Sequence, residues 1–139
     1  LRDRVCAVSN KTHYNEMNVL SMHALIGAYQ PQGYEWVDEL NQVLAGNIEY
    51  FCDYVDEHFE GVSYSRPQGT YMVFLDCTEW CREHGRDIQW LLDEGARVGV
   101  GYQDGRPFHG PCHIRVNLAL PLSRVKEACD RLDRYVFGV

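Results

Sequence analysis

The sequence predicts an α+β fold, a small and mostly antiparallel sheet covered by helices, and three features of the chain carry that prediction. Apolar residues recur at steps of three and four from Trp36 to Phe59 and again from Leu122 to Val136, the period of helices with one buried face. Two β-rich runs flank an Arg66-Pro67-Gln68-Gly69 turn, where Pro and Gly supply the dihedrals of a bend. The stretch Cys112 to Ala119 alternates apolar and polar residues strictly, as a strand with one face on a core does.

Taken in order, residues 1 to 16 are polar and unpatterned after the first turn, and the beginning reads as cut from something larger. From Val19 the apolar positions Leu20, Ala24, Leu25 and Ala28 predict a helix stopped near Pro31 and Gly33. The long helix follows, with Trp36, Leu40, Val43, Leu44, Ile48, Phe51, Val55 and Phe59 on its apolar stripe and Gly61 closing it. Val62 to Ser65 and Thr70 to Asp76 are the two strands around the turn. Short helices are predicted over Glu79 to His84 and Asp87 to Glu94, broken by Gly85 and ended by Gly95. A brief strand, Arg97 to Gly101, would place Gly99 and Gly101 on one face, open to a bulky neighbour. A loop rich in Gly and Pro runs from Tyr102 to Pro111. After the strand Cys112 to Ala119, a last helix behind Pro121 buries Leu122, Val125, Cys129, Leu132 and Val136. No repeat, low-complexity tract or internal linker interrupts this order.

Composition narrows the function classes. Hydrophobic residues make up 45% of the 139, enough apolar surface to offset the entropy of ordering one compact core. Twenty acidic residues against 13 Lys and Arg give a net charge of −7 with no basic cluster, which repels a nucleic-acid backbone. The longest apolar run, Tyr71 to Leu75, falls far short of the roughly 20 residues that a membrane helix needs. The six cysteines lie mostly within apolar periodic segments and lack the density of a small disulfide scaffold, so a cytoplasmic setting is expected.

The residue that points to chemistry is Arg115. Period two puts Ile114, Val116 and Leu118 on one face of its strand and His113, Arg115, Asn117 and Ala119 on the other. A guanidinium has five donors and keeps its charge, so in mid-strand it must face water, a carboxylate or a cleft. That makes Arg115 a candidate anion clamp. Spacing alone leaves two blander readings open, a solvated sheet face or a pair with one of the acidic residues.

A combination of blocks bears on that choice. Phe108, Gly110, Ile114-Arg115-Val116-Asn117-Leu118-Ala119 and Pro121, followed by a helix with Glu127, Ala128 and Leu132, resembles the C-terminal end of the class I/II aminotransferases, enzymes that use pyridoxal 5′-phosphate (PLP). Asn18-Val19-Leu20, Tyr34 to Leu40, Gly46-Asn47, Pro67-Gln68-Gly69-Thr70-Tyr71 and Leu75-Asp76 look like the cystathionine β-lyase branch, whose members cleave carbon–sulfur bonds. The likeness extends over residues 1 to 137, and its specificity lies in the order of the blocks rather than in any one of them.

What the resemblance implies is a division of labour. Arg115 would grip the substrate's α-carboxylate as a bidentate pair, Asn117 would orient Arg115 or touch the substrate, and Tyr102, on a loop that borders the substrate in the family, would make a further contact. For Asn117 the plainer expectation is satisfaction by neighbouring backbone. The cofactor, its covalent lysine, the Asp facing the pyridine nitrogen and the phosphate cup would all belong to a large domain ahead of Leu1. Residues 1–33 would then be a connecting segment and helix, and residues 34–139 the small C-terminal domain of a homodimeric enzyme acting on an amino acid.

Lys11 sits in Ser9-Asn10-Lys11-Thr12, which superficially matches the surroundings of the family's cofactor lysine, but Asn15 to Leu20 already matches a segment well past that lysine. Lys126, beside Val125 in the last helix, is expected to be exposed. His109, Cys112 and His113 with Cys77 and Cys81 have the wrong spacing for a structural zinc site. A cysteine–histidine nucleophile pair lacks an orienting third group, so packing is the better reading of Cys52 and Cys129. The rival function is a stand-alone α+β module that binds small carboxylates without chemistry. A third reading is structural, with Arg115 in an internal salt bridge.

Overall fold

The computed structural model describes residues 1–13 and 17–138. The chain divides into two compact units, Leu1–Leu40 and Asn41–Val139. In the first unit, Arg2–Thr12 forms a helix (α1), closed by His13 in the left-handed region with its N–H returned to the Ser9 carbonyl. This corrects the expectation of an unpatterned start. Residues 14–16 of that stretch lie outside the described residues, as do Asn15 and Glu16 of the Asn15 to Leu20 match. The second helix, α2 (Val19–Ala28), begins where Asn18 Oδ1 accepts the Ser21 N–H at 2.9 Å, as an Asn at that position does.

As expected α2 stops just before Pro31, at Ala28, but Pro31 also starts a helix: the long helix α3 is Pro31–His58, and Gly33 lies within it. Proline suits this place because the first-turn N–H would be unpaired in any case. Along the predicted stripe only Phe51, Val55 and, just past the helix, Phe59 are buried, whereas Trp36 is 62% and Val43 54% exposed. The buried residues of this helix begin at Asn47, so its apolar period runs further than the core does. Gly61 follows with φ +78°, a conformation that favours glycine, and its carbonyl accepts the Trp80 N–H.

The sheet of the second unit comprises β1 (Ser63–Tyr64), β2 (Met72–Asp76), β3 (Gln103–Asp104) and β4 (His113–Asn117) in the order β1-β2-β4-β3, every neighbour antiparallel. The register of β2 on β4 sets Val73 opposite Val116 and Leu75 opposite Ile114, and these four side chains are buried. Against them pack α3, α4 (Thr78–His84), α5 (Ile88–Arg97) and α6 (Leu122–Leu132), which add Phe51, Trp80, Leu91, Val125 and Leu132 to one core. Each such side chain contributes on the order of 1.5–3 kcal/mol by leaving water. The chain ends in a wide turn, Asp133–Phe137, where Phe137 stacks on Phe59 and its carbonyl accepts Trp80 Nε1 at 3.2 Å.

Three details differ from expectation. The strand expected over Arg97 to Gly101 is a turn, because α5 runs on to Arg97 and Gly99 takes φ +77°; pairing resumes at Gln103. Gly95 does not end α5 but sits buried inside it, where an added Cβ would come within 2.5 Å of the Tyr102 ring. Leu122, the first residue of α6, is 39% exposed, one turn before the buried stripe begins at Val125.

Candidate functional site

Cross-strand pairing builds the outer face of the sheet. The residues that alternate with the core positions are Phe74 and Asp76 on β2, opposite Arg115 and His113 on β4, with Gln103 of β3 on the other side of Arg115. Phe74, Arg115 and Gln103 therefore form one row across three strands, with the guanidinium in the middle.

Arg115 is held by two neutral groups. Its Nε donates to Gln103 Oε1 at 2.7 Å, and its Nη2 donates to the same oxygen. Its Cζ lies 4.1 Å from the centroid of the Phe108 ring, so one π face of the guanidinium is covered. Phe108 is placed by the turn Arg106–Phe108, which is pinned at its start by Arg106: the backbone N–H and Nε both donate to Asp104. The Arg106 hydrogen bonds hold the Asp104 carboxyl below the usual carboxylate range. The acidic residue nearest to Gln103 in sequence is thus committed elsewhere.

Among the described residues no carboxylate pairs with Arg115, whereas Arg66, Arg82, Arg97, Arg106, Arg124, Arg131 and Arg134 each have one. Arg86, the other such case in the second unit, lies over the Trp90 ring. Among the described residues the internal salt bridge of the structural reading is therefore not formed. Next to Arg115 on the same strand, His113 Nε2 is 3.7 Å from Asp76 Oδ2, its ring lies on Phe74, and its buried Nδ1 has no hydrogen-bond partner among the described residues. Asp76 is further bound by the Thr78 N–H and hydroxyl; burial alone would raise its pKa, but these donors and His113 hold it below the usual value. A cavity of about 300 Å³ opens here, lined by Ser63, Tyr64, Ser65, Phe74, Asp76 and His113.

The other candidates stand apart from this row. Asn117 Oδ1 accepts the Ala119 N–H at 2.8 Å, a local turn at the end of β4. Tyr102 is half-buried, with its hydroxyl donated to the Leu91 carbonyl and its ring against Gly95; burial first, and the nearby Cys77, push its pKa up. A larger cavity of about 380 Å³ lies on the α6 side, with Asn117, Leu118, Val100, Arg124 and Arg131 among its lining, and Arg115 is not on it. Both of those arginines pair with Glu127. Lys11 is on α1 and exposed, and Lys126 lies exposed with Nζ 5.1 Å from the Tyr50 ring. Among the described residues no group of three His, Cys, Asp or Glu side chains is placed to hold a metal ion. The sequence points to Arg115 but not to Gln103, because a two-residue strand has no period to read.

No family model matches the chain. A presumed cystathionine β-lyase of Mycobacterium leprae is 35% identical over 118 residues, 73% of this chain and 28% of that protein. Another from Mycobacterium tuberculosis is 33% identical over 122 residues, with 73% and 29% covered. Among solved structures, the PLP-bound carbon–sulfur lyase of Staphylococcus hominis matches with a TM-score of 0.77 at 23% identity over 91% of this chain and 33% of its own, which shows a shared fold. This chain thus spans about three tenths of the length of the proteins it resembles. It belongs, as a partial C-terminal stretch, to the cystathionine β-lyase and aminotransferase family.

Proposed function

We propose that this chain is the C-terminal part of a PLP-dependent enzyme, either a carbon–sulfur β-lyase or an aminotransferase, and that Arg115 binds the α-carboxylate of its amino-acid substrate. One observation carries the reading: Arg115 is fixed in mid-strand by a neutral amide and an aromatic face, with no carboxylate to cancel its charge among the described residues. A guanidinium left in that state is ready for an anion, and a carboxylate matches its planar donors two at a time.

Bound PLP supplies an electron sink for the substrate's Cα. The side chains of this chain bind and orient. Arg115 fixes the carboxylate, which turns the Cα–H bond into one orientation, while Phe108 covers one face of the guanidinium and Phe74 stands opposite Arg115 on β2. Neither Lys11, out on α1, nor Lys126, over Tyr50, lines either of the two cavities described above, and this reading assigns the residues that hold PLP to the rest of the enzyme. In that arrangement residues 1–33 connect to a large domain and residues 34–139 form the small one. The exposed apolar side chains Leu20, Leu25 and Ile26 support a larger body packed against that connector. Asn117 holds the end of β4 and Tyr102 pins the loop that carries Gln103, which are structural services to the site. The enzyme is a homodimer, as the resemblance implies, and works in the cytoplasm, the setting its six cysteines suggest.

The test is Arg115→Ala and Arg115→Lys in the full-length enzyme, with L-cystathionine and L-aspartate as substrates and thiol and oxo-acid products both measured. Two charge-assisted hydrogen bonds at about 1.5–3 kcal/mol each predict at least a tenfold rise in KM for Arg115→Ala, with stability changed by less than about 1 kcal/mol. An unchanged KM with a lowered unfolding temperature would instead make Arg115 a purely structural residue. Tight amino-acid binding by residues 1–139 alone, without PLP, would favour the stand-alone binding module.

A further inference from the structure

The row Phe74, Arg115, Gln103 assigns a role to Gln103 that rests on the reading of Arg115 as the carboxylate site. We propose that Gln103 is a positioning residue and sets anion selectivity: it holds one edge of Arg115 without quenching its charge, leaving the Nη1/Nη2 end for the substrate carboxylate.

A guanidinium has two donor pairs suited to a carboxylate, the side edge Nε/Nη2 and the end Nη1/Nη2. Gln103 Oε1 takes one hydrogen from Nε and one from Nη2, which fills the side edge with a single oxygen. Phe108 covers one face of the plane. Among the described residues Nη1 has no hydrogen-bond partner, and Nη2 keeps its second hydrogen, so the end pair is the one left open. Gln103 can do this because β3 pairs with β4 in a register that sets it directly opposite Arg115.

Its chemistry matters as much as its place. A Glu at position 103 has the same length and the same oxygen but would form an ion pair, and the substrate's carboxylate would then compete with a resident one. An amide oxygen orients the cation and leaves the charge to the ligand. A long, flexible arginine is thereby fixed before the substrate arrives, which lowers the entropy lost on binding.

The experiment uses ¹⁵N-arginine-labelled full-length enzyme and sodium acetate as the probe, following the Arg115 Nε–H resonance, with acetamide as the uncharged control. In the unaltered protein the resonance is sharp, exchanges slowly with water, and shifts on titration with acetate but not acetamide. Gln103→Glu keeps it sharp and weakens acetate binding at least tenfold. Gln103→Ala broadens it and weakens binding severalfold, and Gln103→Asn, too short to span the strands, behaves like Gln103→Ala. Acetate binding unaffected by Gln103→Glu would overturn the assignment of Gln103 while leaving Arg115 as the carboxylate site. No acetate-dependent shift of Arg115 in the unaltered protein would overturn both.

Discussion

Asn47 joins the long helix to the strand that carries the site, and replacing it gives the sharpest test of how that strand is held. It is the one buried polar side chain of the described core, 1% exposed, and its Nδ2 donates to the Leu118 and Leu120 carbonyls at 2.8 Å each. Those carbonyls lie just beyond β4, on the segment that leads into α6. Asn47→Ala removes both donors at once. A buried carbonyl left without a partner costs about 1–3 kcal/mol. Leu118 is buried and its carbonyl carries the full penalty, while Leu120 is 48% exposed and water can reach part of its site. The expected loss is therefore roughly 2–4 kcal/mol, a large fraction of the 5–15 kcal/mol typical of a domain. Urea unfolding at pH 7 under reducing conditions measures it, and a loss below about 0.5 kcal/mol would refute the claim that Asn47 ties these elements together. Asn47→Asp tests the same claim through pH. The new carboxylate would face two carbonyl oxygens in a buried site, so its pKa would rise above the unfolded value. With the folded pKa raised, the protonated form is the stable one, so the deficit should ease as pH falls and deepen as pH rises through the folded pKa.

Gly95→Ala should destabilise by about 1–3 kcal/mol in thermal unfolding, because the new methyl would sit 2.5 Å from a Tyr102 ring already fixed by its hydroxyl on Leu91. Tyr102→Phe keeps the ring and loses only that hydrogen bond, and should cost about 1 kcal/mol in the same thermal unfolding. At alkaline pH the buried thiols add to the loss of stability. Burial pushes Cys129 up to about 12 and raises Cys77 and Cys81 as well, so their contribution is whole below a thiol's ordinary pKa of about 9 and is lost as pH climbs towards 12. Each such group steepens the loss by up to about 1.4 kcal/mol per pH unit in that window, and Cys129→Ala, compared by urea midpoints from pH 8 to 11, should flatten it.

How much of this chain is legible in its sequence depends on how local each cause is. The alternation through Ile114, Val116 and Leu118 is a property of one strand, and the buried face is the one the period demands, with Arg115 on the outer one. The stripe of α6 from Val125 to Leu132 is equally local and equally legible. The failures share a different cause. Gly95 reads as a helix stop, yet its meaning is set by an aromatic ring that folds back from position 102. Pro31 reads as the end of one helix because its N–H is missing, and the same missing N–H lets it begin another. Trp36 and Val43 share the period of the buried residues of α3, but period says which face is apolar, not how far a core extends along it. The site shows the same boundary most clearly. A mid-strand guanidinium is visible in the sequence; its partner is not, because Gln103 lies in a strand of two residues and meets Arg115 only through the register of β3 on β4. Register fixes whether that guanidinium faces a carboxylate or an amide, and hence whether its charge is spent inside the fold or left for a ligand.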